Sequence, residues 1–217
     1  MRRTKKEAQQ TRDEIFRAGI KVFARHGYQA ATLSKIACEA GVSRGAIYWH
    51  FKNKEGFFRE TVQRLNRLYD ELLEVALRQS GSAIDVIVES AAQILRRFVH
   101  DEEFRSMQEL VIRIAIGHRK PLQLVRERDE QIDDRALELL RGAIANDQLC
   151  TGISAEVAYT AISAVMSGTF LMIIERGIHP SEDEIWQMAE FIGRGLAPHP
   201  TQTTVGGYAD ASQRGVS

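Results

Sequence analysis

Only two cysteines, Cys38 and Cys150, occur in 217 residues, far apart and outside any metal-ligand spacing. That scarcity excludes a disulfide framework and a zinc cluster, and it points to a reducing, cytoplasmic setting. No glycine-rich phosphate loop, nucleophile elbow or metal-ligand motif occurs, so no enzyme, cofactor or metal is expected. The basic N-terminus has no apolar run behind it, which excludes a signal peptide. No apolar stretch is expected to span a membrane. Net charge is lacking too, with 29 basic and 29 acidic residues. The balance hides a split. Residues 1–54 carry twelve Lys/Arg against four Asp/Glu, a net of +8, and the remainder carries −8. A basic head on an acidic body fits polyanion binding by the head alone.

What is present is helix. From Thr32 to Lys54 the pattern is two short helices joined by a tight turn. Thr32 is a suitable N-cap. Leu33, Ile36, Ala37 and Ala40 form one apolar face, and Gly41 can take the positive φ of a helix end. Val42 plugs the turn, and Ser43 caps a second helix from Arg44 to about Phe51. This is helix-turn-helix grammar. Ile47 and Phe51 can face inward, which leaves Arg44, Tyr48, Trp49 and His50 as a basic, aromatic, hydrogen-bonding surface suited to the major groove of DNA.

Before it, Arg2, Arg3, Lys5 and Lys6 form a short arm, either a frayed terminus or a phosphate or minor-groove contact. A first helix is expected from near Thr11 to about His26, stopped by Gly27. Gly19 inside it is a local cost that a close helix crossing would explain. Asn53 caps a long fourth helix to about Arg78. Helical periods follow over Ile84–Phe98 and Phe104–Ile114, then from Leu122 to about Asn146, and from 155 to 176. The last of these is apolar nearly all round, a pattern of burial on several sides. An amphipathic helix starts at Ser181. Small residues along 155–176 followed by that helix suit packing against a second copy. Residues 198–217 have no apolar period and read as a disordered tail.

The ordered run Thr11-Arg12, Ile15, Ala18, Phe23, Gly27, Thr32, Ile36-Ala37, Ala40-Gly41-Val42-Ser43, Gly45, Tyr48, Phe51 and Lys54 resembles the TetR family of bacterial transcriptional repressors. Arg44–Phe51, with Arg3–Arg12 ahead of it, is most similar to the subgroup that represses multidrug efflux pumps. The resemblance implies an all-α homodimer: a three-helix DNA-binding head (1–54) and a six-helix ligand-binding and dimerisation domain (55–197). It implies that Arg44, Gly45, Ala46, Tyr48 and Trp49 face double-stranded operator DNA, with Tyr48, His50, Thr32 and Lys54 on phosphates. Two alternatives stand for single residues: Trp49 packed on helix four, and His50 as an ordinary surface histidine.

A two-fold dimer must hold its recognition helices roughly 34 Å apart to enter successive major grooves. A ligand that prefers another spacing weakens DNA binding by the same coupling. The expected function is a repressor of a multidrug efflux operon released by a small hydrophobic effector, with helix four as the lever. A regulator of lipid or degradative metabolism and a ligand-independent architectural protein are the alternatives. Pocket candidates lie where apolar bulk meets isolated polar groups. They are Leu65, Asn66 and Tyr69 on helix four; Leu95, Phe98, Phe104, Met107, Gln108, Val111 and Ile112 in the middle; and Met166 and Phe170. Gln108 and Asn66 stand out, because a buried amide needs a partner.

Overall fold

Side-chain caps set most helix boundaries. In this computed structural model, which describes residues 5–117, 135–150 and 152–198, the oxygens of Thr32, Ser43, Asn53, Ser82, Ser154 and Ser181 each accept from a backbone N–H in the first turn of the next helix. Ser181 and Glu184 complete a reciprocal capping box. The helices are α1 Lys5–Ala30, α2 Leu33–Glu39, α3 Arg44–Phe51, α4 Lys54–Gln79, α5 Ala83–His100 and α6 Glu102–Gly117, then α7 (135–145), α8 Ala155–Arg176 and α9 Glu182–Gly195. No strand occurs among the described residues. The acidic run at 101–103 is a helix start, because Asp101 Oδ1 accepts from Phe104 N at 3.0 Å.

Helices α1, α2 and α3 pack around Ile15, Phe16, Ile36, Ile47 and Phe51, and α4 closes that cluster with Phe57 and Phe58. The crossing of α1 on α4 explains Gly19. A Cβ there would lie under 3.0 Å from the ring of Phe57, which stacks on Phe16 with centroids 5.1 Å apart. Beyond α4, helices α5, α6 and α9 build the body, with α5 against both α4 and α9. The two parts share one continuous core. A second bridge joins them, since α6 packs along α1 as well as against α4.

Four expectations need revision. Helix α1 is already helical at Lys5, so Lys5 and Lys6 belong to it; Arg2 and Arg3 lie outside the described residues. Gly27 does interrupt α1, at φ 69°, but one more turn follows to Ala30. Helix α8 is not buried on several sides: it buries Ala155, Ala158, Met166, Phe170 and Ile173 and leaves Val157, Val165 and Met172 exposed. Its 22 residues, at a mean hydropathy of 1.8 in their most apolar window, are also long and apolar enough to cross a membrane, contrary to the expectation that no stretch is. Helices α5 and α6 pack against it, and Arg141 of α7 pairs with its Glu156 at 2.8 Å. Of the helix expected over Leu122–Asn146, residues 118–134 lie outside the described residues, as does the tail expected over 198–217 apart from Pro198.

Candidate nucleic-acid interface and ligand cavity

The recognition surface begins with the turn between α2 and α3. Gly41 takes φ 65°, where a side chain would be strained. Its N–H donates to Cys38 O at 3.2 Å, and Val42 N donates to Ala37 O at 3.0 Å. Thr32 Oγ1 accepts from Lys35 N at 3.2 Å and Ser43 Oγ from Ala46 N at 3.2 Å, which fixes where each helix starts. Ile47 and Phe51 are buried, and the opposite side of α3 is left to solvent. Arg44 and Gly45 are exposed, Ala46 is half-buried, and Tyr48 and Trp49 are 51% and 72% exposed. The indole is therefore not packed on α4; its ring meets that of His50 edge-on at 4.5 Å. A Cβ at Gly45 would meet nothing closer than Ser43 Oγ at 3.9 Å. Packing within the described chain does not call for glycine there.

Behind this face runs a charged tie. Arg12 on α1 donates through Nη1 to the carbonyl oxygen of His50 at 2.8 Å and through Nη2 to Glu60 on α4 at 2.7 Å. Its guanidinium also sits 4.8 Å from the centre of the Phe51 ring. Arg64 joins Glu60 at 3.0 Å and also pairs with Asp13. Burial alone would raise the pKa of Glu60, but the hydrogen bonds from Arg12 and Arg64 outweigh it and hold the carboxyl below its usual range. The end of the recognition helix is thus pinned to α1 and α4 together.

Lys54 has an internal role. Its ammonium donates to the carbonyl oxygens of Tyr28 (2.7 Å), Gln29 (3.3 Å) and Ala31 (3.4 Å), which takes up its three protons. It also lies over the Tyr28 ring at 4.4 Å. Burial, with help from Glu55, raises the Tyr28 hydroxyl to about 12. The phosphate contact implied for Lys54 requires release of at least one of these carbonyls.

The body contains a cavity of about 170 Å³ walled by α4, α5, α6, α7 and α8. Of the sequence candidates it brings together Tyr69, Gln108, Met166 and Phe170. Leu65, Leu95, Phe98, Phe104, Met107, Val111 and Ile112 are buried in the core rather than on this wall. Phe98 stacks on Phe170 at 4.3 Å, and Phe104 meets Tyr69 edge-on at 5.9 Å, so both sit one layer behind it. Asn66 is also off the wall, with a buried Oδ1 that has no hydrogen-bond partner among the described residues. Residues that sequence reasoning missed include Asp70, Ser90, Tyr159, Ser163 and Ser167. Serines interrupting otherwise apolar helix faces were the available signal.

The pattern described as bacterial regulatory proteins, tetR family, matches residues 15–61. The HTH-type transcriptional repressor BepR of Brucella suis biovar 1 (strain 1330) is 32% identical over 176 residues, covering 77% of this chain and 82% of that protein. The chain belongs to the TetR family. A solved structure of NalD, the secondary repressor of the MexAB-OprM multidrug efflux pump in Pseudomonas aeruginosa, has a TM-score of 0.71 at 24% identity. It covers 89% of this chain and 98% of that one. A Clostridium perfringens putative fatty acid metabolism regulator has a TM-score of 0.70 at 20% identity, covering 85% and 98%. At those identities both likenesses concern the fold. This TetR-family chain is a DNA-binding transcriptional regulator by descent, and the relatives it matches are regulators.

Proposed function

We propose that this protein is a dimeric repressor of a multidrug efflux operon, released from a palindromic operator by a small hydrophobic effector. The observation that carries the reading is the outer face of α3. In a chain of this family it presents Arg44, Gly45, Tyr48 and Trp49 to solvent on a head of net charge +8. Arg44 can make a bidentate contact to guanine, Gly45 admits close approach, and Tyr48, Thr32 and His50 would contact phosphates. Dimerisation is supported by the exposed apolar residues of α8 and α9, among them Val165, Met172 and Phe191 at 42%, 41% and 75% exposure. Domains of about 1–54 and 55–197 divide the labour, although their cores run together. A protein that acts on the chromosome works in the cytoplasm, with no cofactor or metal assigned.

Release follows from linkage. An effector that favours a body conformation with another head spacing lowers operator affinity by the same factor by which operator lowers effector affinity. Two bridges can carry that change: α4, through the Arg12–Glu60–Arg64 tie, and α6, which packs along α1. Fluorescence anisotropy on the DNA upstream of its own and neighbouring genes tests the reading. Binding weakened by hydrophobic compounds supports it, and binding no tighter than to random duplex refutes it. The fatty acid regulator of like fold motivates a second reading, a regulator of lipid metabolism. Adjacent catabolic genes in place of a divergent efflux operon would favour that one.

A further inference from the structure

The cavity wall contains a hydrogen-bonding need that the described residues leave unmet. Gln108 on α6 is 3% exposed, and its Oε1 has no hydrogen-bond partner among the described residues. Ser90 on α5 is on the same wall, and its Oγ is buried and likewise unpartnered there. A core amide or hydroxyl normally avoids this, because an acceptor shut away from water loses its bond without replacement. The surrounding wall is aliphatic and aromatic, with Leu73, Ile94, Ile162 and Phe170.

Charge narrows the choice further. Among the described residues lining the cavity none is Lys, Arg or His, and the only acidic side chain is that of Asp70. None of the described lining residues can pair with a carboxylate, a phosphate or the anionic part of a thioester carrier, and Asp70 disfavours them. The volume of about 170 Å³ is below the roughly 300–1,000 Å³ of drug-sized pockets, which suits a compact molecule.

Resting on the effector reading above, we propose that the cavity takes a compact apolar molecule without an anionic group, bearing an O–H or N–H group that donates to Gln108 Oε1, with Ser90 Oγ as a second polar contact. Apolar burial supplies the affinity. The donor supplies selectivity, since a ligand without one leaves Gln108 unpaired in a now drier site.

The test is isothermal titration calorimetry on the full-length protein with three probes of one shape: 4-propylphenol, 4-propylanisole and 4-propylbenzoate. The phenol is expected to bind about ten-fold tighter than the ether, which keeps the oxygen but lacks the donor, and the carboxylate to bind weakest. In Gln108→Met, which keeps length and removes the acceptor, the phenol's advantage should shrink to about two-fold or less while the ether binds as before. Equal binding of phenol and ether to the unaltered protein overturns the inference but leaves the effector cavity standing, and this comparison needs no variant to fold. A persisting phenol advantage in Gln108→Met, or tightest binding by the carboxylate, also overturns it. Binding by none of the three overturns the effector cavity itself, and the inference with it.

Discussion

Arg12 is the residue whose loss should affect both stability and DNA binding. Its fork reaches the His50 carbonyl at 2.8 Å and Glu60 at 2.7 Å, with side-chain exposures of 30% for Arg12 and 13% for Glu60. Hydrogen bonds to charged groups contribute about 1.5–3 kcal/mol each. The partial exposure of Arg12 lowers that figure, and Arg64 would still hold Glu60 at 3.0 Å. Arg12→Ala should therefore cost about 2 kcal/mol in a urea melt, with an unchanged m-value. Because the lost tie ends on the recognition helix, operator affinity should also fall, by about ten-fold, under conditions where the variant is fully folded. Arg12→Lys should recover less than half of either effect, since one ammonium cannot reproduce the planar fork. The pH dependence follows from Glu60. Its folded pKa is lowered, so its contribution to stability is present above the ordinary carboxylate value and fades as pH falls through the folded value. Arg12→Ala should flatten that acid-side loss. Wild-type melting and wild-type operator affinity in Arg12→Ala would refute the reasoning.

Two further outcomes separate packing from surface roles. Gly19→Ala gains roughly 1 kcal/mol of helix propensity, but its Cβ would press on the fully buried Phe57 ring. Overpacking costs about 1–3 kcal/mol, so a lower melting temperature is expected and a higher one would disprove the crossing. Val165→Asp, which places a charge on the exposed apolar side of α8, should turn a dimer into a monomer by light scattering; an unchanged mass would place the dimer surface elsewhere.

The parts legible in the sequence were those set by neighbours within a turn or two. Thr32, Ser43 and Asn53 cap the helices they were expected to cap, and Ile47 and Phe51 turn inward from α3 at i, i+4 spacing. What was not legible depends on partners far along the chain. Nothing local pairs Arg12 with His50, or sends Lys54 back to the carbonyls of residues 28–31. Phe98, Phe104 and Leu65 carry the same helical period as Tyr69 and Gln108. Only the rotation of α4, α5 and α6 decides which of them reach the cavity. The apolar pattern of α8 shows that a surface wants cover without saying whether the same chain provides it. The second bridge between head and body, α6 on α1, was missed for the same reason.

The central claim is that the outer face of α3 reads DNA. It is tested most directly by anisotropy titrations of operator DNA with the full-length protein, Arg44→Ala and Trp49→Ala. Both side chains are exposed, so both variants should melt within about 0.5 kcal/mol of the parent. Arg44→Ala is expected to lose about 1–3 kcal/mol of operator binding, roughly 5- to 150-fold, with relaxed preference at one base position in each half-site. Trp49→Ala should weaken binding as well. Variants that hold the operator as tightly as the parent, with the same sequence preference, would contradict the account.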